Sequence, residues 1–392
     1  MLLVNLNTRM NVHQISLSDA FYKILGEDYK FIEFGERRSQ AGEYSLSAKG
    51  VNLERPYIIR MFESIESEQI AIKLLNDADV VITAGEPLAL LKKRLYSNKI
   101  VFRQGERSFK GPFWKDIIRF PKVFYHYKKN NWPNYRKLCL SAYAPNDLRM
   151  LGPKYMEKCY KFAYFVGIPD LDIEEIIRHR SKGKLEIVWC SRFIGWKHPE
   201  MVVQLAEKML SSGRDNFEIK MIGANTTSLW NEIKEKVNFK GLCHHVILTG
   251  GMPNSEVQQC MRESDIFIFT SDRGEGWGAV LNEAMGAGCA CIASHEIGAV
   301  PFLLKDKENG LIFRSCSVDS LYEKVAYLYD NPEDCSKYGK QAYQTITTEW
   351  SSMNAAQRLL QLSEGILTNH EIAFEDGPCS KAYPINKKKL LL

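Results

Sequence analysis

The 392-residue sequence predicts an α/β protein made of two Rossmann-like, doubly wound parallel-sheet domains, and three observations carry that prediction. Short apolar runs recur through both halves, each followed by a stretch of helical spacing, as expected where helices join buried parallel strands. At 45% hydrophobic the chain is too long for one ordinary core, so two domains are expected. Glycines stand where strands of the second half give way to helices, the edge on which open α/β sheets place ligands.

In the first half, residues 2–6 read as an opening buried strand and 17–25 as an amphipathic helix closed by Gly26. The loop between them leaves the carboxyl end of that strand, which makes Arg9 and His13 candidates for substrate contact. Strands are expected at 30–34, 57–61, 79–83 and 99–103, with helices at 66–76 and 87–96. The corner after the last strand reads Gln104-Gly105-Glu106-Arg107, where Glu106 either orients a substrate hydroxyl or pairs with Arg107.

Over residues 92–137, fourteen lysines and arginines face only Glu106 and Asp116, with aromatics interleaved. Such a surface suits an anionic membrane. No nucleic-acid-binding signature accompanies it, and the alternative is that half of the aromatics form the domain core. Strands at 137–142 and 161–166, around a short helix from Pro145, complete the first sheet.

The second half repeats the pattern. Strands are expected at 185–190, 217–222, 245–249, 265–270, 289–293 and 311–313. Helices are expected at 199–210, 227–237 and 255–263, the last capped by Asn254. Residues 272–288, DRGEGWGAVLNEAMGAG, organise the chain. A helix from 278 or 279 to 285, capped by Gly286 and Gly288, makes Gly274, Gly276 and Gly278 a strand-to-helix corner. Free backbone amides there form a phosphate seat. Glu275 and Glu283 flank it, and carboxylates beside a phosphate suit hydroxyl groups, from a sugar or a ribose; solvated surface acids are the alternative. Gly223, Gly250 and Met252, at the ends of two earlier strands, suit close approach to a nucleobase, or ordinary turn chemistry.

The two glutamates with seven residues between them, followed by EAMGAGCACIAS, resemble the donor-site signature of the family 4 glycosyltransferases of the GT-B fold. The resemblance covers 184–365 by motif and the first 166 residues by topology. It implies two domains facing a cleft, with Glu275 on the donor sugar, Glu283 on the nucleotide ribose, and the backbone of Gly276, Trp277, Gly278 and Ala279 on the diphosphate. Arg192 and Lys197 match the family's spacing for the diphosphate cations. The glycine-rich first loop of many relatives is absent here, and Gln104 and Glu106 stand near the corner where many carry a histidine. His295 to Val300 replaces the usual Gly-Gly and following Glu.

The implied reaction transfers a sugar from a UDP- or GDP-linked donor to an acceptor hydroxyl, retaining configuration, with no metal and no cofactor. A lipid-linked saccharide in bacterial surface-polysaccharide assembly is the implied acceptor. A sugar phosphorylase, a sugar-nucleotide epimerase and a non-catalytic nucleotide-sugar binding module are the rivals.

The expected organisation is an acceptor domain at 1–166, a hinge at 167–184, a donor domain at 185–347, a helix at 348–367 crossing back to the first domain, and a poorly ordered tail at 368–392 whose lysines add membrane attraction. Ten irregularly spaced cysteines fit reduced thiols in a cytoplasmic protein, peripheral on the membrane, better than a disulfide framework. Cys243 beside His244 and His245 reads as a core thiol rather than zinc chemistry, and the two Asp-x-Asp motifs, 77–79 and 170–172, as solvated acids.

Overall fold

The computed structural model describes residues 1–35, 52–84, 87–111, 113–129, 132–180, 183–370, 372–387 and 390. The chain forms two compact units. The first comprises the described residues of Met1–Tyr44, Gly50–Gly167 and Glu349–Ile385, and the second is built on Ile168–Thr348.

The first unit begins β1 (Leu3–Asn7), α1 (Val12–Leu25), β2 (Tyr29–Glu33), β3 (Ile58–Arg60), α2 (Ile65–Asp77), β4 (Val80–Ala84) and α3 (Leu88–Tyr96). It continues with β5 (Ile100–Gly105), α4 (Phe113–Lys129), β6 (Tyr135–Cys139), α5 (Ala144–Leu151) and β7 (Cys159–Lys161). These strands form a parallel sheet in the order β3-β2-β1-β4-β5-β6-β7. Val4, Leu6, Ile32, Val81 and Val101 are fully buried beneath α2 and α3, as both-face coverage of a parallel sheet requires. Asn11 caps α1 by accepting from the His13 amide, while Gln14 answers its own amide, so the loop bearing Arg9 and His13 is pinned to the helix start.

The second unit runs α6 (Ile173–His179), β8 (Leu185–Cys190), α7 (Glu200–Ser211), β9 (Phe217–Ile222), α8 (Ser228–Phe239), β10 (Val246–Gly250), α9 (Asn254–Glu263) and β11 (Ile266–Phe269). It closes with α10 (Val280–Gly286), β12 (Ala290–Ser294), α11 (Val300–Leu303), β13 (Leu311–Phe313), α12 (Val318–Asp330) and α13 (Pro332–Thr347). Its parallel sheet has the order β10-β9-β8-β11-β12-β13, with Trp189, Ile219, Ile268 and Ile292 in its core. The sequence reading therefore holds for the doubly wound class.

Several details differ from it. The 113–129 segment is a helix that the sequence reading does not contain, because Pro121 interrupts the run and Trp114, Ile117, Ile118, Phe124 and Tyr125 are exposed rather than facing the core. The charged connector holds α6, N-capped by Asp172. Asn254 begins α9 without capping it, Pro253 occupying the cap position. Cys243 is exposed and donates to Asn238 instead of packing in a core. The strand expected at 161–166 leaves the sheet at Lys161, although Phe162 and Phe165 stay buried.

The last helix, α14 (Ser352–Leu367), belongs to the first unit, packing beside α1, where Ser16 and Ser352 share a hydrogen bond of 2.9 Å. The tail beyond it is not loose. Cys379 donates to the Lys161 carbonyl, Lys161 to the Ser380 carbonyl and Ala382 to the Cys159 carbonyl, so Cys379, Ser380 and Ala382 are buried along β7. An uncovered β7 would expose its backbone groups, and the tail satisfies them. Lys388, Lys389, Leu391 and Leu392 lie outside the described residues, as do Ser181 and Lys182 of the expected hinge.

Arg180 anchors α6 by donating to the carbonyls of Arg262, Ala287 and Gly288 at 3.1, 3.0 and 2.9 Å. These lie at the ends of α9 and α10. The substitution Arg180→Ala leaves buried carbonyls without a partner and should cost about 3 kcal/mol, measured by denaturant unfolding. A midpoint equal to the wild type's would show that water replaces the guanidinium.

Candidate functional site

In the second sheet the strand order reverses between β8 and β11, so the turns leaving those two strands diverge and open a crevice at the carboxyl edge. Side chains lock the turns to each other. The Trp189 indole donates to Thr270 Oγ1 at 2.9 Å, Thr270 donates to the Lys197 carbonyl at 2.6 Å, and the Asp272 amide to the Trp196 carbonyl at 3.0 Å. Across this seam Lys197 and Glu275 form a buried ion pair, with Ser271 Oγ donating to Glu275 at 3.3 Å.

Burial draws the Lys197 ammonium below the ordinary lysine range, and the Glu275 carboxylate opposes that fall. The ammonium also lies 4.3 Å above the Trp196 ring, where the π face favours a cation. Arg192, exposed at the mouth of the same turn, has its guanidinium 5.9 Å from the Trp196 ring centre.

The glycine corner follows β11. Among the described residues the backbone amides of Gly276, Trp277, Gly278 and Ala279 have no hydrogen-bond acceptor. Gly278 has φ +95°, and a Cβ there would lie 2.6 Å from the Phe269 ring, so both backbone and space demand glycine. Trp277 is buried, its indole donating to Asn282 at 3.0 Å and its carbonyl accepting from Ala299 at 3.1 Å. The corner is thus held from behind while its amides stay free.

The helix starts at Val280, two residues after Gly278. Gly286 lies inside it, pressed against Ile168, instead of capping it. Glu283 sits in its first turn, half-buried, and its carboxylate has no hydrogen-bond or ion-pair partner among the described residues. Burial alone pushes its carboxyl up to about 7. The two glutamates therefore differ: Glu275 is paired, and Glu283 is desolvated and alone.

Gly223 is tightly enclosed, since a Cβ would lie 2.1 Å from the Ser191 carbonyl, and its amide donates to the Gly250 carbonyl at 3.0 Å. Gly250, at φ +79°, ends β10, and Met252 is half-buried just beyond. Gly223 thus has a packing reason and Gly250 a backbone one, as well as a place on the carboxyl edge. His295, after β12, accepts from the Ser315 amide at 3.0 Å through Nδ1, and burial lowers its pKa.

The sequence reading missed a clasp beside the site. His198 adopts left-handed backbone (φ 50°), with its ring nitrogens 2.9 Å from Glu200 and 3.0 Å from Asp272. These bonds to Asp272 and Glu200 raise its pKa to about 10, so it is a cation at neutral pH. Cys316 Sγ lies 3.6 Å from His198 Nε2, and His198, Asp272 and Cys316 bring three potential metal-ligand atoms within 4.8 Å of one another. No sequence spacing links these three turns.

The first unit's candidates gather around Tyr164. The His13 ring centre is 5.8 Å from that of Tyr164, whose hydroxyl is 3.4 Å from Glu106. Glu106 pairs with Lys110, four residues on, and not with Arg107, whose partner is the buried Asp147 at 3.1 Å. That corrects the ion-pair alternative. His13 Nδ1 is buried without a partner among the described residues, and burial lowers its pKa, so the ring is neutral at pH 7. Gln104 is buried at the end of β5, and one Arg9 nitrogen, Nη2, is buried unpaired.

Two doubly wound units, one with a phosphate-ready corner at its switch point, define the GT-B class, and solved structures bear out that fold. A glycosyltransferase from Rickettsia africae superposes with a TM-score of 0.64 at 16% identity, covering 94% of this chain and 99% of that one. HepE from Anabaena, solved with UDP, gives 0.67 at 12% identity over 93% and 100%. Residues 172–345 match the family model of glycosyl transferases group 1.

Among curated proteins, an uncharacterized glycosyltransferase of Methanocaldococcus jannaschii is 22% identical over 50% of this chain and 51% of its own length. A GDP-mannose-dependent alpha-(1-6)-phosphatidylinositol monomannoside mannosyltransferase of Mycobacterium tuberculosis is 29% identical over 32% of this chain and 34% of its own. The chain spans about half the length, or less, of the curated relatives it matches.

Two outcomes test this geometry. The Gly278→Ala variant should lose about 2–3 kcal/mol in chemical denaturation, from φ strain and the Phe269 clash together. Glu283 holds its proton more tightly folded than unfolded, with a value near 7 against an ordinary 4.5, so its burial costs stability as pH rises between those values. Glu283→Gln should therefore melt higher than wild type at pH 8 and close to it at pH 5. An equal difference at both pH values would contradict the raised pKa.

Proposed function

We propose that the chain is a glycosyltransferase that moves a sugar from a nucleotide-diphosphate donor to an acceptor hydroxyl. The observation that carries this is the pairing of free amides at Gly276–Ala279 with the lone, desolvated Glu283 carboxylate one helical turn away. Free amides ask for an anion, and a carboxylate without a donor asks for hydroxyls. A nucleotide diphosphate sugar carries both.

In this reading the diphosphate binds the amides with Lys197 and Arg192, and Glu283 accepts from the ribose hydroxyls. Glu275 accepts from hydroxyls of the donor sugar. As the glycosidic bond breaks, negative charge grows on the departing diphosphate. Fixed cations and amides in a dry site favour that charge more in the transition state than in the bound donor. Lys197 is suited to this because Glu275 keeps it charged despite burial. In this reading the chain's own cations serve the diphosphate, and the resemblance to family 4 implies a reaction that uses no metal and no cofactor and retains the anomeric configuration. The UDP bound to HepE and the GDP-mannose used by the mycobacterial relative favour a UDP- or GDP-linked donor.

On the first unit, His13 is the group we assign to the acceptor hydroxyl, since it is neutral at pH 7 and its Nδ1 is buried without a partner. Arg9, Gln104 and Glu106 line the acceptor side. The acceptor is a lipid-linked saccharide of capsule, exopolysaccharide or O-antigen assembly, and the enzyme works in the cytoplasm on the membrane's inner face. The basic, aromatic α4 and ten unpaired cysteines support that place. No helix among the described residues is long and apolar enough to cross a membrane.

Calorimetric titration with a panel of nucleotide sugars, followed by acceptor turnover, tests this reading. Glu283→Ala should weaken donor binding by roughly 1.5–3 kcal/mol, or about 10- to 150-fold, because a charged acceptor of hydroxyl bonds is lost. Binding by wild type should strengthen as pH rises through about 7, where Glu283 ionises. Glu275→Ala should abolish turnover; a chain with no turnover to lose would be a binding module instead.

A further inference from the structure

The α4 helix presents an apolar side outward. At about 100° per residue, Trp114, Ile118 and Tyr125 fall within an arc of about 40°, and they are 59%, 70% and 65% exposed. Ile117 and Phe124 widen the ridge on one side, and Lys115, Lys122 and Lys129 run in a line along the other. The inward side carries the buried Asp116, which accepts from the Gly111 amide at 3.3 Å. Phe120, stacked on the buried Phe109 at 6.0 Å, gives that inward side its own apolar contact, so the outer ridge is a second apolar stripe, which a soluble helix ordinarily lacks. An apolar ridge bordered by lysines matches a bilayer surface with anionic headgroups, the rings and aliphatic chains reaching the acyl boundary and the ammonium groups the phosphates.

Beneath α4, against the carboxyl end of β5, lies a cavity of about 510 Å³. Its charged lining is Arg103, Arg107, Lys110, Arg119 and Lys122 against the single carboxylate of Glu106. Arg107 is 91% buried, donates one nitrogen to Asp147 at 3.1 Å, and leaves Nε and Nη1 buried without a partner among the described residues. A buried guanidinium with idle donors is costly unless an anion completes it, and its planar fork matches phosphate oxygens. At the cavity wall Lys137 and Arg103 reach the Tyr127 hydroxyl at 3.1 and 3.0 Å. Burial favours the neutral phenol, yet those two cations bring its pKa below the ordinary tyrosine value. The surroundings are strongly positive.

We propose that this cavity binds the phosphate or diphosphate of a lipid-borne acceptor, with the outer ridge of α4 resting on the membrane that carries it. The helix then has two faces with one purpose: Trp114, Ile118 and Tyr125 meet the bilayer, while Arg119 and Lys122 border the anion site. The proposal rests on the transferase reading for the lipid-borne acceptor and the membrane beside it; the anion site itself rests on Arg107 and the cations around it.

Co-sedimentation of the full chain with phosphatidylcholine vesicles tests it. One set carries a polyprenyl diphosphate and a second carries phosphatidylglycerol at equal charge, while in calorimetry the part of inorganic pyrophosphate binding that Arg119→Ala/Lys122→Ala removes reports the pocket apart from the donor seat. Wild type should bind pyrophosphate and prefer the diphosphate vesicles. The double variant Arg119→Ala/Lys122→Ala should lose both effects by roughly 10- to 30-fold, at about fivefold per cation. Trp114→Ser/Ile118→Ser should weaken binding to both vesicle types equally and leave pyrophosphate binding intact.

Equal binding to the two vesicle types would overturn the proposal in favour of a general anionic surface. Absence of pyrophosphate binding would remove the site, and a wild-type dimer that the ridge variant dissolves would assign the ridge to a second copy. Nucleotide-sugar titration of the same proteins keeps the two readings apart, since failure there sinks the donor site and leaves the vesicle result standing.

Discussion

Lys197 and Glu275, buried against each other, tie the turn after β8 to the corner after β11, and the arrangement of the second unit's ligand edge depends on that contact. A buried ammonium without a partner would shed its proton, and a buried carboxylate without one would take one up. They meet at the point where the sheet reverses its strand order, and there the Glu275 carboxylate opposes the fall that burial imposes on the Lys197 pKa. Thr270, Ser271 and Trp189 brace the pair with hydrogen bonds. The site is therefore charged and preorganised before any ligand arrives.

Glu283 shows the opposite strategy. Its carboxylate is desolvated, has no partner among the described residues, and is held near neutrality by burial alone. A protein optimised only for stability would place glutamine or leucine there. Free energy given up at Glu283, and at the unpaired amides of Gly276–Ala279, is available to a ligand that offers hydroxyls and an anion. The same logic holds in the first unit, where the idle Arg107 nitrogens and the outward apolar ridge of α4 are unfavourable for the isolated chain.

Legibility of the sequence varied with the range of the forces involved. The strands ending at Phe269 and Ser294 were readable because a parallel strand covered on both faces is a continuous apolar run. Gly278 was readable because a left-handed residue at a strand-to-helix corner needs glycine. The 113–129 helix was not, since it carries apolar residues on its outer side as well as its inner one and Pro121 interrupts it. The tail along β7 was also hidden, because its role is to satisfy backbone groups of a strand more than two hundred residues earlier. The His198 clasp joins turns following three different strands, and no spacing rule reaches across them.

Taken alone, the sequence determined the class of fold, the corner at Gly274–Gly278 and the identity of the two glutamates, all properties that reside in local periodicity and backbone freedom. Tertiary structure decided which glutamate is paired and which is bare, whether Glu106 answers Lys110 or Arg107, and which way α4 faces. Those outcomes turn on burial and on partners distant in the chain, and a carboxylate's charge is fixed by what surrounds it rather than by its neighbours in sequence.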